Sequence, residues 1–422
     1  MSKIVKRVTI LSIGIALLML MLVGASAQGK VTLRLWHGLG NVDGPYFHKL
    51  IEEFNQTHPE IDIQPRTWGD WGQFYDKLAI SIKVGTASDI VTFHTSNIPR
   101  FAAIEGFYPI TQEIAEMGLK GEDFFEPTWQ GTFYEGEQYA APLDFHPQSM
   151  YYNVKHFREA GLDPANPPYT LEEYIAAGKK LTQDRDGDGK TDQWGYVFNM
   201  DTWAVQFWST IPQYGGQVID EDMWKCLLDS KESIQALQVW VDMVEKYGIS
   251  PAKCTEDMQL FITQRASMKS DGTWILLGLK EQEPELEWDN TVFPKFGVNP
   301  AVWVDSHAFG LPVQKKRDAE KIEASLQFIE WMVTHPLRWV RAGHVPANRE
   351  AAFSEEFRTE CPHQYNASLQ YAALTYLPRT VHLREIWSRL GTAFQSATLG
   401  ELTAEEALKK ATAEIDKFLD GR

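Results

Sequence analysis

The sequence predicts a mixed α/β fold in which helices connect the strands of mainly parallel sheets. Segments with strand-like and helix-like apolar periodicity alternate from Val31 onward, and the alternation restarts after Pro142. Residues 89–93 form a β-branched run of the kind buried in parallel sheets. Because 422 residues, of which 44% are hydrophobic, exceed what one ordinary core accommodates, we expect two domains or one split fold.

Each element in the first half of the chain is indicated by its periodicity and by an end signal. Val31, Leu33 and Leu35 alternate along one face of the first strand. Pro59 ends the first helix, and Gly85 closes the second. This order is typical of parallel strands joined by crossover helices. The predicted elements are strand 31–36, helix 46–58, strand 61–65, helix 74–84 and strand 89–93.

The second half repeats this order of strands and helices. Thr170 and Glu173 have the spacing of a capping box and therefore mark the start of a helix. Pro336 stops a strongly apolar helix, and the last segment is apolar along one side only. The predicted elements are strand 150–153, helices 169–183, 230–247 and 258–265, strand 309–313, and helices 319–335 and 403–419.

The first 27 residues have the pattern of a signal peptide. Lys3, Lys6 and Arg7 form a basic segment, residues 8–24 are apolar, and residues 25–27 match a small-residue cleavage site. A membrane anchor is the alternative, because the apolar run approaches spanning length. No cysteine stands at the predicted cleavage site directly after the apolar run, so a lipid-anchored cysteine at the new N-terminus is excluded. We therefore expect export to the periplasm or the extracellular space.

The charge and the cysteines exclude several kinds of partner. A formal net charge of −17 disfavours nucleic acid and anionic membranes. Cys226, Cys254 and Cys361 show neither a CxxC motif nor metal-ligand spacing. A Cys226–Cys254 disulfide and three small buried thiols are the two interpretations, and the odd number leaves at least one thiol free.

Nine stretches, taken together in their order, resemble a known family. They are VTLRLWHG, LIEEFNQTHPEIDIQ, KLAISIKVGTASDIV, YAAPLDFHPQSMYYNVKHFREAGLDP, YTLEEYIAAGKKLT, ASMKSDGTWIL, AFGLPV, ASLQFIEWM and GHVPAN. They resemble the extracellular solute-binding proteins of ABC-type sugar importers, family 1, the maltose-binding-protein-like group. One departure is Ser88-Asp89, where the family commonly has Pro-Asp; the aspartate is retained.

This resemblance implies the type II periplasmic binding protein fold, in which two α/β lobes meet at a hinge and enclose an interlobe ligand cleft. The implied N-terminal lobe comprises residues 30–142 and 305–346, and the C-terminal lobe comprises 143–304 and 347–422. The implied function is capture of a sugar and its delivery to the membrane permease subunits of an ABC importer. The number of candidate tryptophans favours an oligosaccharide. Such a protein is a monomer, is not an enzyme and requires no cofactor.

Sugar recognition needs aromatic faces that cover the apolar faces of the rings, and planar polar groups that bond adjacent hydroxyls. In an open α/β sheet such a site lies beyond the carboxyl ends of the strands. The candidates follow predicted strands, flank the predicted lobe crossings, lie in a Trp-rich loop or occupy a family position. The predicted ligand-binding residues are Trp36, His37, Trp68, Asp70, Trp71, His94, Asp144, His146, Trp203, Tyr214, Trp274, Trp303, Asp305 and His307.

For the tryptophans, burial in a core is the alternative to ligand contact. It applies to Trp68 and Trp71, which flank Asp70, and to Trp274, which begins an apolar segment. Four other tryptophans sit within helical patterns, and we expect them to be core residues: Trp240, Trp331, Trp339 and Trp387.

Residues 184–192, DRDGDGKTD, contain most of a calcium-binding loop. The loop positions that carry side-chain oxygens, a glycine and a backbone carbonyl are filled by Asp184, Asp186, Asp188, Gly189, Lys190 and Asp192. The twelfth position, which should supply a bidentate glutamate, is Gly195. A structural Ca²⁺ site of modest affinity and a solvated Asp-Gly turn both fit this pattern.

Catalysis is the main alternative to simple binding. The sequence contains no HExxH, GxSxG or GxxxxGK[ST] motif. A secreted glycoside hydrolase would use paired carboxylates, Asp70 with Asp144 or Asp305. A surface adhesin or sensor subunit is a further alternative without catalysis. The order and spacing of the family stretches favour the binding protein over both.

Overall fold

The computed structural model describes residues 30–40, 42–201 and 204–420. The predicted signal peptide and the candidate Trp203 lie outside these ranges. Within them, no helix has the length and apolar character that crossing a membrane requires.

Strands and helices alternate along the described chain, so the predicted α/β class is confirmed. The strands are β1 (Val31–His37), β2 (Ile61–Thr67), β3 (Ile90–His94), β4 (Phe133–Tyr134), β5 (Glu137–Gln138), β6 (Ala141–Pro142), β7 (Asp144–Asn153), β8 (Met268–Gly272), β9 (Trp288–Val292), β10 (Val302–Asp305), β11 (His307–Gly310), β12 (Val345–Pro346) and β13 (Leu374–Tyr376). The α-helices are α1 (Asp43–Thr57), α2 (Trp71–Lys83), α3 (Ile98–Ala102), α4 (Thr111–Glu116), α5 (Glu126–Gln130), α6 (Val154–Glu159), α7 (Leu171–Leu181), α8 (Val205–Gln213), α9 (Lys231–Glu245), α10 (Asp257–Ile262), α11 (Leu276–Gln282), α12 (Ala319–Val333), α13 (Pro336–Val340), α14 (Arg349–Ala352), α15 (Glu355–Glu360), α16 (Pro362–Ser368), α17 (Leu383–Thr398) and α18 (Ala404–Asp420).

The first lobe is built on a five-stranded sheet in the order β2-β1-β3-β11-β6. β1 runs parallel to β2 and β3, and α1 and α2 are the crossover connections that the sequence predicts. β11 returns from the later part of the chain and pairs antiparallel with β3 and β6. Leu33 and Leu35 are fully buried, so the alternating face of the first strand packs on the core.

The second lobe is built around β7, a ten-residue strand that is buried along its whole length. It pairs antiparallel with β8, β9, β10 and β12, and β10 pairs in parallel with β13. The sequence predicts only residues 150–153 as a strand here. The preceding six residues are also extended, but their mixture of polar and aromatic side chains shows no apolar alternation.

The chain passes between the two sheets at three places, which together form the hinge. Leu143 joins β6 to β7, and Ser306 joins β10 to β11, close to the predicted crossings. The third crossing leads from α13, which packs in the core of the first lobe, to β12, which pairs with β7. Phe357 and Ala367 also pack in the first core, although they follow the predicted lobe boundary at residue 347.

The start of α7 and the cysteines both test predictions made from the sequence. The Thr170 hydroxyl accepts a hydrogen bond from the Glu173 N–H, and the Glu173 carboxylate accepts one from the Thr170 N–H, so the predicted capping box is confirmed. All three cysteines are buried free thiols, and burial raises the pKa of Cys226 to about 11. The structure therefore agrees with the interpretation that the cysteines act as small buried side chains.

Candidate functional site

A cavity of about 640 Å³ lies between the two sheets and against the hinge. Its walls come from both lobes, and its floor comes from β7, β10 and β11. Seven of the predicted binding residues line it: Trp71, His94, His146, Trp274, Trp303, Asp305 and His307. Six others are described but do not line it: Trp36, His37, Trp68, Asp70, Asp144 and Tyr214.

Trp71 provides the aromatic surface of the first-lobe wall. It is the first residue of α2, and the Asp70 carboxylate caps this helix by accepting a hydrogen bond from the Gln73 N–H at 2.7 Å. The indole lies directly on Gly38, where an added Cβ would be 2.4 Å from the ring. Asp70 is therefore a correction to the predicted site: its side chain is exposed and engaged in the cap, and it helps to place Trp71 instead of lining the cavity.

Trp274 provides the matching surface of the second-lobe wall. It follows β8 in a short 3₁₀ turn, and its indole lies on Gly272, where an added Cβ would be 1.9 Å from the ring. Trp303 packs edge to face against Trp274, with ring centroids 6.1 Å apart. Trp387 of α17 lies 6.1 Å from Trp303 and also lines the cavity. Trp387, predicted to be a core residue, does pack against the core of the second lobe, but it lines the cavity too because one edge of α17 faces the cleft.

Three buried polar atoms on side chains that line the cavity have no hydrogen-bond partner among the described residues. They are Trp303 Nε1, His146 Nε2 and Asp43 Oδ1. Since buried polar groups are nearly always paired, these atoms are available to a molecule that fills the cavity. Asp305 differs, because its Oδ2 accepts from the Ser96 hydroxyl at 2.5 Å and its Oδ1 from the Thr95 hydroxyl at 3.2 Å. Burial raises the pKa of Asp305.

Asp144 lies beneath the floor and is completely buried. Its carboxylate accepts hydrogen bonds from the His307 backbone N–H at 3.0 Å and from Trp339 Nε1 at 2.5 Å. The Nδ1 atoms of His146 and His307 lie 3.1 and 2.9 Å from its oxygens. Although burial alone would raise the pKa of Asp144, the surrounding histidines hold it well below its ordinary value. Asp144 thus supports two residues that line the cavity, and no surface of its own reaches it.

Trp36 and Trp68 pack on each other beside the cleft. Their rings meet edge to face at 5.5 Å, and the Arg66 guanidinium lies 4.1 Å from the centre of the Trp68 ring. Of the three predicted binding residues Trp68, Asp70 and Trp71, only Trp71, which begins α2, lines the cavity. Trp36 on β1 and Trp68, the residue after β2, instead form a cation–π stack with Arg66.

His37 and Tyr214 are engaged elsewhere in the structure. His37 is fully buried, its Nε2 lies 3.0 Å from His48 Nε2, and burial lowers its pKa to about 3. Tyr214 donates its hydroxyl to the Phe296 carbonyl at 3.1 Å within the second lobe. Both predicted side chains therefore hold their own lobe together.

The cavity also contains residues that the sequence reasoning missed. Tyr75 lines it one helical turn after Trp71, and this i, i+4 spacing on α2 was a usable signal. Arg100 and Arg384 line it as well. Arg384 of α17 forms an ion pair with Asp76 of α2, so a charged contact joins the two lobes beside the cavity. No sequence signal predicts this pair, because its members are far apart in the chain.

The acidic loop is exposed and lies away from the cavity. Ligand oxygens of Asp184, Asp186 and Asp188 lie within 4.8 Å of one another. Backbone N–H groups of Gly187 and Gly189 donate to Asp184, and the Arg185 N–H donates to Asp192. The Lys190 ammonium pairs with Asp188. These hydrogen bonds are those of a tight turn, and the approach of three carboxylates also fits Ca²⁺, so the calcium site stays a prediction.

Two α/β lobes, three connections between them and a cavity between the lobes define the class of two-lobed binding proteins. The chain belongs to the bacterial extracellular solute-binding proteins: the model of that family matches residues 49–359. The predicted family resemblance and fold class are therefore confirmed.

Known proteins share this fold over nearly the whole chain. An ABC substrate-binding protein from Listeria monocytogenes, in complex with cycloalternan, matches with a TM-score of 0.81 and 19% identity over 93% of this chain and 100% of that one. The maltose/maltodextrin-binding domain MalE from Bdellovibrio bacteriovorus, bound to maltotriose, matches with a TM-score of 0.78 and 20% identity over 92% and 100%.

A curated relative is matched over a shorter length. The sn-glycerol-3-phosphate-binding periplasmic protein UgpB of Escherichia coli K12 is 24% identical over 206 residues, which is 48% of this chain and 45% of UgpB. The alignment thus spans a little under half the length of either protein.

Proposed function

We propose that this protein is the exported substrate-binding subunit of an ABC importer and that it captures a sugar, an oligosaccharide, between its lobes. The observation that carries the proposal is the cavity itself. Aromatic side chains from both lobes, Trp71 and Trp274, pack closely on glycines on opposite walls, and unpartnered polar atoms of Trp303 and His146 are buried at the floor. Aromatic faces with a few fixed polar groups are the surfaces that a pyranose needs.

The charges of the cavity favour a neutral sugar over a phosphate ester. The Arg384 guanidinium is paired with Asp76, and an Arg100 nitrogen lies 3.9 Å from the same carboxylate. Asp43 and Asp305 add acidic groups to the lining. Among the described lining residues, a phosphate would therefore meet carboxylates as well as the two guanidiniums that share Asp76. The sugars bound to the Listeria and Bdellovibrio proteins fit this interpretation better than the glycerol phosphate of UgpB.

The arrangement favours binding without hydrolysis. A glycosidase needs two carboxylates that flank one bond. Asp70 caps a helix at the surface, and Asp144 lies beneath the floor with both oxygens engaged. The remaining candidate, Asp305, accepts hydrogen bonds from Ser96 and Thr95. The protein would therefore present the sugar intact to membrane permease subunits, as a monomer that closes around its ligand.

A thermal-shift screen tests this function. The panel contains maltose, maltotriose, mannobiose, tagatose and sn-glycerol-3-phosphate. A ligand at a hundred times its Kd adds about 2.7 kcal/mol of stability, so the cognate sugar should raise the melting temperature clearly. Chromatography of the incubated oligosaccharides should show no shortened products. A shift with sn-glycerol-3-phosphate alone would refute the sugar assignment, and shortened products would refute simple binding.

A further inference from the structure

Three imidazoles and one carboxylate converge beneath the floor of the cavity. They belong to Asp144, His146, His307 and His344, and one ligand atom from each lies within 4.8 Å of the others. All four side chains are buried. They come from the three hinge crossings: two from β7, one from the start of β11, and one from the residue that precedes β12. The cluster therefore joins the segments on which the lobes move.

All three imidazole rings direct their Nδ1 atom at the carboxylate of Asp144. His146 Nδ1 lies 3.1 Å from Asp144 Oδ1, and His307 Nδ1 lies 2.9 Å from Asp144 Oδ2. His344 Nδ1 is 3.9 Å from Asp144 Oδ2, which is too far for a hydrogen bond. Neither nitrogen of His344 has a hydrogen-bond partner among the described residues, although the ring is completely buried. Such an orphaned group is costly unless something else satisfies it.

We propose that Asp144, His146, His307 and His344 form a binding site for one Zn²⁺ ion. Zinc prefers four ligands drawn from histidine nitrogens, aspartate oxygens and thiolates, so three imidazoles and a carboxylate match its preference. Nitrogen and oxygen ligands of a tetrahedral zinc site lie about 3.3 Å apart, as follows from bonds of about 2.0–2.1 Å. The three Nδ1 atoms lie 3.1, 2.9 and 3.9 Å from the Asp144 oxygens, and the four ligand atoms lie within 4.8 Å of one another, so the cluster is close to that spacing.

Metal binding requires neutral imidazoles and an ionised carboxylate. Zinc would therefore take the place of the protons that lie between the Nδ1 atoms of His146 and His307 and the Asp144 carboxylate.

Neighbouring groups are placed to orient the ligands. The Trp339 N–H and the His307 backbone N–H donate to Asp144. Asp43 Oδ2 lies 3.5 Å from His344 Nε2, on the side of the ring opposite Nδ1. A carboxylate behind a ligating histidine fixes the tautomer and strengthens the ligand. His146 and His307 also line the sugar cavity, so an ion reaches the cluster from the cleft.

Zinc at this position would stabilise the hinge, because a single ion would hold all three crossings together. To test this, the protein is dialysed against a chelator, freed of the chelator and titrated with ZnCl₂ in competition with a chromophoric chelator. We expect one bound equivalent and a higher melting temperature. His344→Gln and Asp144→Asn should lose the bound equivalent, and Asp43→Asn should weaken binding about 10- to 100-fold as an orienting residue.

Two control variants separate this site from other metal-binding groups. His156→Gln removes a buried histidine outside the cluster, one that is bonded to Ser267. Asp186→Ala removes a carboxylate of the exposed acidic loop. Both should keep the bound equivalent. The proposal is overturned if the wild type binds no zinc, if His344→Gln keeps it, or if Asp186→Ala loses it.

X-ray absorption of the zinc-loaded wild type supports or refutes the site even if a cluster variant fails to fold. The expected first shell contains several imidazoles and a carboxylate oxygen. A shell of oxygens alone would place the ion elsewhere and overturn the proposal.

Discussion

Gly272→Ala should weaken sugar binding although the residue contacts no ligand itself. The backbone of Gly272 is extended, with φ −81° and ψ 169°, so alanine adopts it without strain. Its Cβ, however, would lie 1.9 Å from the Trp274 ring. Carbon atoms prefer separations of about 3.5–4.0 Å, so the ring must move by about 1.5–2 Å. That displacement removes the flat surface of the second-lobe wall.

The expected loss of affinity follows from the loss of one central aromatic contact. Removing such a contact weakens the binding free energy by about 2 kcal/mol or more, which corresponds to a rise in Kd of roughly thirty-fold. Titration calorimetry with the sugar from the thermal-shift screen measures it. Gly278→Ala is the matched control, because its Cβ would meet only Val42 at 3.8 Å. Gly272→Ala should have no further effect in a Trp274→Ala background. A Kd within twofold of wild type would refute the reasoning.

Three further predictions concern stability, metal and closure. Lys269→Met leaves the buried Asp257 and the partly buried Asp271 without their cation and should lower the free energy of unfolding by about 3–5 kcal/mol in urea titrations, whereas the exposed Lys253→Met should change it by less than about 0.5 kcal/mol. If the acidic loop holds Ca²⁺, Asp186→Ala should lower the melting temperature only when calcium is present; a wild type indifferent to chelator would identify the loop as a turn. Asp76→Ala removes an exposed interlobe ion pair worth at most about 1 kcal/mol, so calorimetry should show no more than a fivefold rise in Kd. A larger rise would mean that Asp76 contacts the sugar.

The sequence predicts the part of the fold and site that depends on local pattern. Apolar alternation places β1, and the family stretches place both lobes. Because the carboxyl ends of neighbouring parallel strands meet at one edge, residues just after β2 and β3 were expected at the cleft. Trp71 and His94 do line it. Trp36 and His37 also follow this rule by position, yet their side chains pack within the first lobe.

The remaining parts of the site depend on tertiary packing. Trp387 and Arg384 come from a helix near the end of the chain, and only the packing of α17 across the cleft brings them to the cavity. Asp144 and His146 are both buried on β7, so alternation along the strand does not reveal that one lines the cavity and the other lies beneath it. The approach of His344 to them likewise results from the third hinge crossing.

The central claim is that one sugar is held between the two lobes by Trp71 on one wall and Trp274 on the other. Titration calorimetry of Trp71→Ala and Trp274→Ala tests it most directly, with the exposed Trp224→Ala as control. Each cleft variant should lose roughly thirty-fold in affinity, while its melting temperature without sugar stays near that of the wild type and the control binds normally. Unchanged affinity in either cleft variant, or a collapsed melting temperature with normal binding, would contradict the claim.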